Sequence, residues 1–151
     1  MNIVVVADRS LGDRALVQWM TERDRSAVAC FRVVVPVRVP GPWDLAEGTG
    51  GFVALACLAE DDYLADARAR ASAFIDDLRL LGLDVSGSVH AGETLQVLDL
   101  VLRGRHVDEF VVAPAANAMS RLFGLDLARR LRRRWQVPVC EVDTRARTLA
   151  A

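Results

Sequence analysis

Glu109-Phe-Val-Val-Ala-Pro-Ala-Ala-Asn-Ala-Met-Ser-Arg-Leu-Phe-Gly124 runs on through an Arg-rich segment to Val137-Pro-Val-Cys-Glu-Val142. An apolar β-branched run stopped by a proline, a few small residues, a helical stretch and a second apolar run read as strand, loop, helix and strand. Phe110 to Ala113 is then the fourth strand, Leu122 to Trp135 the last long helix and Val137 to Val142 the fifth strand. In an α/β protein the loop between such a strand and helix is a natural phosphate site, because free N–H groups and the helix dipole both favour an anion there.

Upstream the same alternation repeats. Ile3 to Ala7 is a continuous apolar run ended by Asp8, as a central parallel strand covered on both faces requires. Ser10-Leu-Gly-Asp13 has capping-box spacing and opens a helix to about Glu22, whose apolar face carries Leu11, Ala15, Leu16, Trp19 and Met20. Trp19 is thereby a core residue. Ala27 to Val37 is the second strand, with Pro36 at its end. A Pro/Gly-rich insert with Trp43 occupies about 38–60, and its Gly48-Thr-Gly-Gly51 reads as flexible loop before it reads as a phosphate cradle. Glu60 to Leu81 is a helix with Leu64, Ala67, Ala71, Phe74, Ile75 and Leu78 on one face and Gly82 as its stop. Asp61, Asp62, Asp66, Asp76 and Asp77 form its solvated face, the first pair favouring the helix start. Asp84 to Ala91 is the third strand and Thr94 to Leu102 the next helix. His90 sits at a carboxyl strand end, where open α/β sheets bind ligands. The tail from Asp143 is polar and loose.

Five strands alternating with helices, without a hairpin signal, give one α/β domain: a three-layer, open, parallel five-stranded sheet with helices on both faces. The residues then resemble a family. Ile3-Val-Val-Val-Ala-Asp-Arg-Ser10, the stretch from Val85 to Val112 with its Ala-Gly-Glu-Thr turn, and Val137-Pro-Val-Cys-Glu-Val142 are similar to the opening, middle and closing segments of universal stress proteins, with their Rossmann-like, adenine-nucleotide α-hydrolase-type fold. The resemblance implies strand order 3-2-1-4-5 and, in many members, ATP or AMP across the carboxyl ends of strands 1 and 4. It implies Asp8 at the adenine and ribose pocket, backbone of Val34 or Val35 at the base, and Gly92 beside the ribose. It also implies a glycine loop after strand 4, and there this chain departs. Ala113 and Ala116 stand at the first two glycine positions; Gly124 matches the third at shortened spacing, and Leu125 replaces a hydroxyl. A Cβ blocks the close approach of backbone to phosphate, Pro114 has no N–H, and leucine cannot donate. Arg121 is the one compensating group, a guanidinium fork near the start of the helix.

Composition narrows the chemistry further. The charge is -1, which gives no overall attraction for nucleic acid or anionic membrane. Every basic side chain is Arg, so P-loop and Schiff-base lysine chemistry and a receiver-domain lysine are excluded. Arg129, Arg130, Arg132, Arg133 and Arg134 complement the carboxyl end of the last helix. Cys30, Cys57 and Cys140 read as buried packing residues of a reducing, cytoplasmic compartment. No activated nucleophile with its base is visible. The expected protein is a regulatory or binding module with weak or no ATP binding, paired as a homodimer through strand 5 at Val137, Val139 and Val142, since a bare apolar edge invites association. The other reading is a slow nucleotide hydrolase or transferase using Asp8, His90 and Arg121.

Overall fold

Among the described residues nine elements alternate: β1 (Asn2–Ala7), α1 (Arg14–Ser26), β2 (Cys30–Val37), α2 (Val53–Leu80), β3 (Asp84–Ala91), α3 (Thr94–Val101), β4 (Glu109–Ala113), α4 (Ala118–Trp135) and β5 (Val139–Glu141). In this computed structural model the described residues are 1–7, 10–38, 53–114 and 118–142, without the side chains of 53–60 and 118–124. The strands form one parallel sheet in the order β3-β2-β1-β4-β5, as the resemblance implies.

Strand alternation sorts the core into two halves. Ile3, Val5, Phe31, Val33, Val85 and Val111 face α1 and α2, packing against Leu16, Met20, Phe74, Ile75 and Leu78. Val4, Val6, Val34, Phe110 and Val112 face α3 and α4, against Val97, Leu98, Ala128 and Leu131. Each large apolar side chain so buried contributes about 1.5–3 kcal/mol. Glu109, 8% exposed, is the charged exception and is met by Arg23 of α1 at 2.7 Å.

Several boundaries differ from the sequence expectation. Ser10 does not cap α1: Asp13 does, accepting from the Ala15 N–H at 2.8 Å. α2 is one helix from Val53, so residues 53–60 belong to it rather than to a loop insert, and Asp61 and Asp62 lie well past its first turn. It ends as the Gly82 signal requires. Gly82 takes φ 84°, the Leu83 N–H bonds Leu78 O at 3.2 Å and the Gly82 N–H bonds Arg79 O at 2.9 Å, a Schellman closure. α4 starts at Ala118, earlier than expected, and β5 is shorter. Cys30 is exposed, not buried: it opens β2 at the sheet's end and donates to Asp84 at 2.9 Å. That bond and the Asp84 charge push its thiol pKa up. Cys140 is partly buried, while the Cys57 side chain, Gly48–Gly51, Trp43 and the tail from Asp143 lie outside the described residues. Among the described residues no helix is long and apolar enough to cross a membrane.

Candidate functional site

Ligands of open parallel sheets sit outside the carboxyl strand ends, where the strand order reverses. Here the reversal lies between β1 and β4, whose last registered pair is Ala7 with Ala113. Both are buried, their methyl groups part of the core on the α1 and α2 side of the sheet. Ser10 closes over the crevice: its buried hydroxyl donates to the Ala113 carbonyl at 2.6 Å. A buried hydroxyl left unpaired costs about 1–3 kcal/mol, so this bond pins the segment after β1 to the end of β4. Sequence reasoning assigned Ser10 to a helix cap and missed this role. The available signal was its position, a hydroxyl just beyond a strand that ends at the switch point.

The end of the crevice where the resemblance implies phosphate follows from β4. Ala113 presents a Cβ where the resemblance has glycine, and Pro114 next to it offers no N–H. Asp8 and Ala116 lie outside the described residues. Arg121 falls in the first turns of α4, its side chain undescribed. Gly124 and Leu125 lie well inside α4, where each N–H is bonded to the carbonyl four residues back. Only the first four N–H groups of a helix are free for an anion, so these two are out of place for that task. The Leu125 side chain is 55% exposed.

Where the resemblance implies a base, Val34 and Val35 are both buried. The β1–β2 ladder stops at Val6 with Val34, while β2–β3 continues to Val37 with Ala91. Beyond Val34, β2 therefore outruns β1 and lines the crevice with backbone. Gly92 ends β3 at φ 136°, its N–H on Val37 O at 3.0 Å, a conformation that calls for glycine. Glu93 then caps α3, accepting from the Leu95 and Gln96 N–H groups at 3.0 and 3.3 Å. The anion position at the start of α3 is thus filled by the chain's own carboxylate. His90, on β3, is separated from β1 by β2, about 9–10 Å at ordinary strand spacing. The sheet does not bring it to the switch point.

A row of arginines on α4 ties this half of the molecule together. Arg130 reaches Glu93 at 3.6 Å, and Arg134 makes a two-pronged pair with Asp99 of α3 at 2.8 and 2.7 Å. The carboxylate raises the Arg134 pKa. Arg132 donates to the Val139 carbonyl at 2.9 Å and lies 3.6 Å from Glu141. Val139 of β5 is buried, as is Val142 just past the strand's end, and Val137 before its start is partly buried. Their side chains belong to the protomer's own core, which leaves backbone groups as what the sheet edge presents. Among the described residues no group of three or more His, Cys, Asp or Glu is placed to hold a metal ion.

No protein-family model matches the sequence, and no curated protein does. Solved structures do. A universal stress protein from Archaeoglobus fulgidus superposes with a TM-score of 0.60 at 17% identity, over 94% of this chain and 93% of that one. A universal stress protein in complex with cAMP gives 0.52 at 18% identity, over 95% and 97%. Strand order, switch point and near-complete mutual coverage agree: the chain has the universal stress protein fold.

Proposed function

We propose that this protein is a universal-stress-protein-like regulatory or binding module, a cytoplasmic homodimer that binds ATP weakly or not at all and has no robust catalysis. The observation that carries the reading is the placement of Gly124 and Leu125 inside α4, where their N–H groups are consumed by the helix. A triphosphate needs a train of free donors, and the substituted β4 end supplies none at Pro114. The experiment is absorbance spectroscopy of the purified protein for carried-over nucleotide, followed by calorimetric titration with ATP. The expected result is no saturable heat at micromolar protein. Micromolar ATP binding that Arg121→Ala abolishes overturns the proposal.

A second reading is adenylate binding through a single phosphate, with slow hydrolysis or transfer. It is favoured by the structural neighbour described in complex with cAMP. AMP titrated beside ATP, with product analysis, separates it: AMP heat without ATP heat selects this reading. The dimer across β5 is tested by light scattering at micromolar concentration, where a monomer removes that part of the proposal.

A further inference from the structure

The opposite end of the sheet holds a cavity of about 280 Å³ at the amino ends of β1 and β2. Its floor is the face that carries Val4, and its side wall is Leu102 and Val107, both buried. Around it stand Arg32, Arg105 and His106, with Ser86 beside Arg32 in register; no carboxylate belongs to the lining. Counted over the lining alone, that is two guanidinia and no acid in a protein of net charge -1. Two acids stand just behind the lining and bond to it. Asp84 accepts from the Cys30 thiol, and Asp108 accepts from the Asn2 N–H at 2.6 Å while holding His106 at 2.9 Å.

Arg32 breaks the rule of its own strand. A strand inside a parallel sheet is covered on both faces and reads as continuous apolar sequence. β2 obeys at Phe31 and at Val33 to Val35, yet puts a guanidinium on the same face as Val34. Among the described residues neither Arg32 nor Arg105 has an ion-pair partner. Local departures of this kind, in an otherwise consistent sequence, are expected where a site is built. The loop is shaped to match. Gly104 at φ 70° and the Arg105 N–H on Leu102 O at 2.9 Å turn the chain back after α3, which brings Arg105 and His106 to the cavity mouth.

We propose that this cavity binds a small organic oxyanion, its charged end on the Arg32 and Arg105 guanidinia and a short apolar body against Val4, Leu102 and Val107. Guanidinium forks match the oxygens of a carboxylate or a phosphate. The volume lies just below the roughly 300–1,000 Å³ of common ligand pockets, which suits a short-chain acid or small phosphate ester and not a nucleotide. The site lies at the amino ends of the strands, independent of the crevice where a nucleotide is tested above.

Amide-resolved NMR of the full chain, titrated separately with acetate, butyrate and inorganic phosphate, is the test. Saturable shifts are expected at Asn2, Ser86, Arg105 and His106. Butyrate should half-saturate at about a tenfold lower concentration than acetate, as two extra buried methylenes imply. Arg105→Gln, at an exposed position, should retain the folded spectrum and weaken binding about tenfold. Butyrate binding assigns a carboxylate ligand, and phosphate binding alone assigns a phosphate ester. Absence of saturable shifts with all three probes, or shifts indifferent to both Arg105→Gln and Arg32→Gln, overturns the proposal. AMP shifts at Gly92 and Glu93 report on the crevice alone, so the two ends fail or succeed separately.

Discussion

The hydroxyl of Ser10 and the absent side chain of Gly87 each decide a local geometry. Ser10→Ala leaves the Ala113 carbonyl without its buried donor and should cost about 1–2 kcal/mol, read as a lower urea midpoint at unchanged slope. At Gly87 an added Cβ would overlap the Ile75 δ1 methyl and sit 3.1 Å from the Val33 carbonyl. The methyl can move but the strand cannot, so Gly87→Ala should destabilise by about 1–2 kcal/mol in the same assay. Asp108 gives a pH signature. The Asn2 N–H, and secondarily His106, hold its carboxyl below the ordinary range. A depressed folded pKa contributes stability above the unfolded value and loses it as pH falls through the folded one. Asp108→Asn should therefore be less stable than the parent at neutral pH, with the gap narrowing in strong acid when unfolding is followed at both.

β5 is where the element scale matters most. The Phe110 N–H bonds Pro138 O and the Val142 N–H bonds Val112 O, so Pro138, Cys140 and Val142 turn their backbone toward β4. By alternation Val139 and Glu141 turn theirs outward. Arg132 already occupies the outward Val139 carbonyl. If protomers pair along this edge, Arg132→Ala should raise the dimer fraction by freeing that acceptor. Glu141→Pro should lower it by deleting the outward donor while leaving the β4 ladder intact. Light scattering over a dilution series reads both; two variants indistinguishable from the parent would place any dimer contact elsewhere. The element scale is also where sequence was least legible. β-branched runs located β1, the body of β2 and β4, because a buried parallel strand is written as continuous apolar sequence, although β2 starts at Cys30 and not at Ala27. Helix starts were harder. Ser10 offered a better local cap than Asp13 until tertiary contact claimed its hydroxyl, and the small residues before Leu122 carry no apolar period to mark α4's beginning.

At the scale of the whole molecule, topology was readable because alternating elements and the Ala-Gly-Glu-Thr turn admit few arrangements, and the strand order follows the resemblance. The crevice was only partly readable. Substituted glycines at Ala113 and beyond were visible as letters, whereas Glu93 filling the α3 start and the three-residue length of β5 depend on how helices and edges finally seat. The cavity near Arg32 was not legible, since Arg32, Ser86 and Arg105 are distant in sequence and meet only across the sheet.

The arginines of α4 join the crevice to the outer edge of the sheet. Arg130 touches the cap of α3 beside the crevice, Arg134 clamps the body of that helix, and Arg132 holds the sheet's outer edge. An occupant that draws Glu93 away from Arg130 and a neighbour that draws Arg132 away from Val139 would pull on one helix. Whatever free energy couples them acts equally in both directions. If AMP binds the crevice of each protomer, its affinity for monomer and for dimer should differ by a factor whose square is the shift that saturating AMP makes in the dimer dissociation constant. Sedimentation with and without AMP measures that shift, and equal values would mean that the row transmits nothing.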